Sequence, residues 1–203
     1  MPTTLYLVRH AQSMPTSLLP SAQWPLSPVG ARQAEQLADL LSLLEITQVF
    51  SSPFVRSIKT AQPFAEKHDL EIQIVEDLRE RVITNQRRLP SEEVWCKSWE
   101  DFNFCLPECE SSLTAQTRMC RAVAGIAQAA TGTAAVFTHG NVIGLFLNQL
   151  TNTFGQKETE ALTNPDILKI RWNEEVFTWE REFYLDGLRT ISTNHSQTPV
   201  TQP

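Results

Sequence analysis

What most constrains this chain is an alternation of two periodicities. Short apolar runs at residues 4–9, 46–50, 72–75 and 134–138 have the length and composition of buried strands. Between them, apolar residues recur at helical spacing. Ala34, Leu37, Ala38, Leu41 and Leu44 mark a helix over residues 28–44. Val55, Ile58, Ala61 and Phe64 mark a second, ending near residue 67, and similar patterns cover 110–130 and 140–150. Ser27-Pro28 reads as an N-cap followed by proline at the first helical position, and Ser51-Ser52-Pro53 as a second helix start. Strands that alternate with helices predict an α/β fold: three layers, α/β/α, around a mostly parallel sheet. Residues 167–179 read as a β-hairpin around Asn173-Glu174-Glu175.

The 203 residues suit one domain, expected over 1–191, with an irregular lid or insertion at 76–109 and a frayed polar tail at 192–203. The net charge is −6 and no Lys/Arg block is long enough to track a phosphate backbone, which argues against nucleic acid as a partner. No run approaches the ~20 apolar residues of a membrane span, so no membrane partner is expected. Met1-Pro2-Thr3-Thr4 has no basic leader pattern, and the expected location is the cytoplasm. Cys96, Cys105, Cys109 and Cys120 lack zinc-site spacing and read as free thiols of a reducing compartment. Neither a metal nor an organic cofactor is expected, and the oligomeric state stays open.

In parallel sheets, ligands bind beyond the carboxyl ends of the strands. Two of the four histidines fall there. Arg9-His10 closes the first strand, and Thr138-His139-Gly140 closes another and opens a helix. The Ser51-Ser52-Pro53 turn and Arg56 belong to the same edge. A lone histidine at a strand end is more often structural. Two imidazoles and two guanidiniums on one edge repel each other unless an anion sits between them. Guanidinium groups match phosphate oxygens, and helix N-termini add N–H donors. The cluster therefore asks for a phosphoryl group, with a neutral histidine as nucleophile. Departure of an alkoxide then needs a proton donor. Glu80 in "LRER" is the candidate, with Glu76 and Asp77 close competitors.

These residues sit in motifs that resemble the histidine phosphatase superfamily, also called phosphoglycerate mutase-like. "LVRHAQS" is similar to its R-H-G signature, with Ala11 in place of glycine. "PLSPVGARQAEQLADLL", "SSPFVRSIKTAQPFA", "LRER" and "FTHGNVIGLFL" resemble its further motifs in the family's order, across most of residues 4–172. The resemblance implies that His10 becomes phosphohistidine, that Arg9, Arg56 and His139 hold the phosphoryl oxygens, and that Glu80 moves the proton. "PECESS" resembles a P-G-G-E-S segment in which Glu108 and Cys109 replace glycines. If that loop needs positive φ, these residues carry strain; Glu110 receives no assigned role.

The leading expectation is a metal-independent phosphatase acting on a small phosphorylated substrate. The alternatives are a phosphoglycerate mutase-type phosphotransferase and a non-catalytic phospho-ligand binding module. The short 82–109 segment and the absence of a W-N pair in the Met14–Trp24 loop, where Pro25 follows Trp24, favour the phosphatase. Arg81, Gln12 and Ser13 are candidate substrate contacts, whereas Arg87 and Arg88 read as solvated charges. Trp24, Trp95, Trp99, Phe102 and Phe104 fit core or lid packing better than a pocket mouth.

Overall fold

The computed structural model describes residues 3–84, 89–151, 153–173, 176–184 and 200–201. At its centre is β1 (Thr3–Arg9), whose Leu5, Tyr6, Leu7 and Val8 are all buried. Such an unbroken apolar run belongs to a strand covered on both faces. β1 is flanked by β4 (Thr133–Thr138), and outward from there lie β2 (Ile46–Ser51) and β3 (Ile72–Ile74), all parallel. On the other side β5 (Asp166–Trp172) runs antiparallel to β1 and pairs in turn with β6 (Val176–Tyr184), the expected hairpin. The sheet order is β3-β2-β4-β1-β5-β6-β7, with β7 formed by Val200–Thr201.

The alternation of side chains along β1 feeds two cores. Leu5 and Leu7 pack into one with Val136 and with residues of α4 (Ser112–Ala129) and α5 (Gly140–Leu150). Tyr6 and Val8 pack into the other with Phe137 and with residues of α1 (Pro28–Leu41) and α2 (Val55–Lys67). Burial of each such side chain contributes roughly 1.5–3 kcal/mol. The result is the three-layer α/β/α arrangement.

Local signals explain most boundaries. Ser27 Oγ accepts from Gly30 N at 2.9 Å, with Pro28 opening α1. Helix α1 stops at Leu41, three residues short of the expected end, and Leu44 packs against the second core from the loop. The 76–109 segment contains α3 (Glu92–Glu100), capped by Ser91. A short α6 (Gln156–Glu160) has no apolar stripe that would have announced it. The expected frayed tail is corrected at residues 200–201, which pair antiparallel with Val176 and Phe177 of β6. The rest of the 192–203 segment, together with Arg87 and Arg88, lies outside the described residues. No described helix is long and apolar enough to cross a membrane.

Candidate active site

Parallel pairing sets the site. Arg9 is opposite Thr138 in the β1–β4 ladder, and Ser51 is opposite Phe137 in the β2–β4 ladder, so three strand ends share one edge. The chain beyond each end stays pinned. His10 N donates to Thr138 O at 3.0 Å, and Ser52 N donates to Phe137 O at 2.9 Å. The His10 and His139 rings meet edge to face with centroids 5.1 Å apart.

The hydrogen bonds assign the ring nitrogens of His10. His10 Nδ1 is 2.7 Å from Ala11 O, a carbonyl that can only accept, so Nδ1 carries the proton. Nε2 then holds the lone pair and accepts from Arg56 Nε at 3.0 Å. His139 Nε2 lies 2.7 Å from Ser52 Oγ, which itself accepts from Phe54 N. A hydroxyl can donate and accept at once, so the contact holds the His139 ring in either tautomer and engages only Nε2, not Nδ1. That buried Nδ1 has no partner among the described residues; nor do Arg9 Nε and either polar atom of the Asn141 side chain. Buried polar atoms are normally satisfied, so this concentration of unmet polar atoms marks a place built for a polar ligand.

Charge points the same way. Burial, followed by the neighbouring Arg56 guanidinium, holds both His10 and His139 well below the usual histidine range. Both are neutral at physiological pH, as a nucleophilic imidazole must be. Burial lowers Arg56 to about 10 and also lowers Arg9, yet both stay cationic. Glu80 faces these cations across a cavity of about 750 Å³ lined by Arg9, His10, Arg56, Glu80 and Asn141 among others. Its carboxylate accepts from Arg81 N at 2.9 Å and from Asn141 N and Val142 N, both at 3.2 Å, at the start of α5. Thr138 Oγ1 donates to Leu78 O at 2.7 Å and so ties the LRER segment to the end of β4.

The family model of the histidine phosphatase superfamily (branch 1) matches residues 5–183. The chain belongs to this superfamily. An uncharacterized protein of Mycobacterium tuberculosis, Rv0525, is 38% identical over 81 residues, which cover 38% of this chain and 40% of that one. The match thus spans less than half the length of that relative. Among solved structures, Bacillus stearothermophilus YhfR shares the fold with a TM-score of 0.74 at 19% identity, covering 89% of this chain and 96% of that one. A mycobacterial glucosyl-3-phosphoglycerate phosphatase complexed with VO3 gives 0.73 at 18% identity, covering 89% and 98%. A phosphoserine phosphatase from Entamoeba histolytica gives 0.70 at 19%, covering 87% and 94%.

Within this histidine phosphatase fold, the other expected site residues part company. Ser13 lines the cavity. Gln12 is not among its lining residues; its side-chain oxygen accepts from the Ser27 hydroxyl at 2.7 Å and holds the loop to the start of α1. Arg81 lines the cavity, but its three guanidinium nitrogens donate to Glu110 O, Ser112 Oγ and Phe104 O. It fastens the 104–112 loop instead of offering a free fork to substrate. Glu76 is exposed and Asp77 pairs with Arg121 at 2.6 Å, and neither lines the cavity, so of the three acids only Glu80 reaches it. Trp24 and Trp95 do line the cavity, contrary to the packing expectation, whereas Trp99 and Phe102 pack against the core. Glu108 adopts φ of 61°, the left-handed strain anticipated where the related segment has glycine. Ala11 is not among the positive-φ residues and fits without strain, its N–H donating to Thr60 Oγ1 at 3.0 Å. Among the described residues no group of three or more His, Cys, Asp or Glu could hold a metal ion.

Three contributors were missed by sequence reasoning. Asn164 Nδ2 donates to His10 O at 2.8 Å, and Arg9 Nη1 donates to Leu162 O, so the 162–164 segment braces both signature residues. No local pattern announces that. A Cβ on Gly140 would lie 2.8 Å from Arg9 Cζ, and one on Gly30 would lie 2.0 Å from Gln12 O. Glycine in the first turn of a helix is an unfavourable choice by propensity, and at Gly30 that was the available signal.

Proposed function

We propose that this protein is a metal-independent phosphatase that hydrolyses a small phosphomonoester through a phosphohistidine on His10. The observation that carries this reading is the state of His10: a neutral ring with its Nε2 lone pair held at 3.0 Å by Arg56 Nε, on the wall of the cavity. The phosphatase names of two structural relatives agree with it.

In the first step His10 Nε2 attacks phosphorus. The N–P bond forms, the P–O bond to the alcohol breaks, and Glu80, protonated for this step, gives its proton to the leaving oxygen. In the second, Glu80 takes a proton from water, the resulting hydroxide attacks phosphorus, and the N–P bond returns its electrons to Nε2. Arg9, Arg56 and His139 hold the phosphoryl oxygens, and such preorganised donors are usually the largest contribution to the rate. The arginines supply the positive charge that a metal supplies elsewhere. Residues 1–191 act as one catalytic domain, and the four unpaired cysteines suit a reducing cytoplasm.

The test is turnover of p-nitrophenyl phosphate with EDTA present, together with trapping of an acid-labile, alkali-stable phosphoenzyme from labelled substrate. Turnover by the wild type, with label lost in His10→Ala, is the expected result. Label on another residue overturns the nucleophile, and faster conversion of 3- to 2-phosphoglycerate than phosphate release makes the protein a mutase. Glu80→Gln should lower kcat for an alkyl phosphate by about 10²–10⁴. The loss should be much smaller for p-nitrophenyl phosphate, whose leaving group needs no proton.

A further inference from the structure

The active-site cavity is far larger than the reacting group. At about 750 Å³ it could hold a ligand of drug size, not only a phosphoryl group on a short carbon chain. Its walls beyond the phosphate position have two characters. Trp24, Phe54, Val82, Ile83, Leu89 and Trp95 supply apolar surface. The first two stand beside the phosphate cradle, since the Arg56 guanidinium lies 4.9 Å from the Phe54 ring centroid and 5.9 Å from that of Trp24. The Trp24 ring is held in place by donation from Nε1 to Thr16 O at 2.9 Å.

Among the described residues, the charged side chains of the outer wall other than Arg81 are acidic. Apart from Arg9 and Arg56, which face the phosphoryl position, the lone cation among the described lining residues is Arg81, and its nitrogens already donate to the protein. Glu92 and Glu160 line the same cavity. Glu160 is fixed there, because its Oε1 accepts from Trp95 Nε1 at 2.6 Å and from Gln156 Nε2 at 2.9 Å. The bond from Trp95 joins α3 to α6 and holds the carboxylate and an indole ring side by side on the rim. A substrate bearing a carboxylate or a second phosphate would find no free described cation to receive it, and two carboxylates to repel it.

We propose that the natural substrate is the monophosphate ester of an alcohol with an apolar, ring-sized body and no second acidic group. This rests on the phosphatase reading above and adds to it the chemistry of the leaving alcohol. The body lies against Trp24, Phe54 and Trp95, and Glu92 and Glu160 exclude acid-bearing phosphoesters.

The experiment compares kcat/KM for four alkyl phosphates: 2-phenylethyl phosphate, glycerol phosphate, phosphoserine and 3-phosphoglycerate. All four have unactivated alkyl leaving groups, which limits differences in intrinsic reactivity. The expected result is a preference for 2-phenylethyl phosphate of at least about 100-fold over the two carboxylate-bearing esters. Glu92→Lys/Glu160→Lys should raise kcat/KM for 3-phosphoglycerate about tenfold or more. Trp95→Ala should raise KM for 2-phenylethyl phosphate about tenfold with a smaller change in kcat; Trp95→Leu, which keeps an apolar wall, should fall between and serves if the alanine variant fails to fold. Equal or better use of phosphoserine or 3-phosphoglycerate overturns the proposal while leaving the phosphatase reading intact. So does an unchanged KM in the Trp95 variants, or an unchanged 3-phosphoglycerate rate in the double lysine variant. Failure to hydrolyse any of the four, with no label on His10, removes the phosphatase reading and the proposal together.

Discussion

Two buried arginine clusters lie close together in this fold and have opposite characters. Around Arg118 every donor group is answered. Its Nε and Nη2 bind both oxygens of Glu110 at 2.6 and 2.8 Å, and Nη1 donates to Asp77 O and Arg79 O at 2.7 and 2.8 Å. Around Arg9 and Arg56 there are two cations, two neutral histidines, one facing carboxylate and several buried polar atoms without partners among the described residues. The first cluster is a fastener. The second keeps its capacity for something that arrives from outside. Burial of charge alone does not separate structure from function; whether the hydrogen-bonding capacity is used up does.

That contrast can be broken by substitution. The largest effect should come from His10→Ala, which should lower phosphatase kcat/KM by about 10⁴-fold or more. Its melting temperature should hold or rise, because a site kept open for a ligand contributes little to folding. A marked drop in melting temperature would place His10 among the fasteners. Glu110→Ala should behave in the opposite way, costing about 3–5 kcal/mol in chemical denaturation because Arg118 is left buried and unpaired. A stability loss below about 1 kcal/mol would show that the Arg118 cluster is not closed.

A smaller effect should appear with pH. His10 and His139 are held neutral in the native state, while in the unfolded chain each titrates near 6.5. Below about pH 6.5 the unfolded chain binds more protons, so native stability falls as pH drops, by up to about 1.4 kcal/mol per pH unit for each histidine. Denaturation midpoints between pH 7.5 and 5 measure this, and His10→Ala should remove about half of the histidine contribution. The mildest test is Gly140→Ala. Its new Cβ would press on the Arg9 guanidinium, whose Nε has no partner among the described residues. We expect KM to rise several-fold with melting temperature nearly unchanged, and an unchanged KM would show that Arg9 can shift without loss.

Much of the site was legible before the fold was seen. The run Leu5-Tyr6-Leu7-Val8 ends at Arg9-His10, and Thr138-His139 ends a second buried strand. The parallel-sheet rule then puts both ends on one edge. From the residues alone Glu80 is not separable from Glu76 and Asp77, three acids within five residues; the LRER resemblance singles it out, and it is Glu80 that meets the N-terminus of α5. Gln12 and Arg81 looked like substrate contacts because they adjoin the motifs. Their side chains are committed to Ser27 and to the 104–112 loop, and no local pattern records such commitments.

The division has a physical basis. Strand and helix periodicity and the Ser27 cap depend on neighbours a few residues away, so the sequence alone determined them. The tautomer of His10 depends on Ala11 O next door and on Arg56 on another element; the bracing of the signature depends on Leu162 and Asn164 near the far end of the chain. Hydrogen bonds over such separations exist only after the sheet has closed and the two cores have packed. The tertiary structure therefore decided which nitrogen faces the cavity, which arginines remain available to a phosphoryl group and what kind of surface lies beyond it.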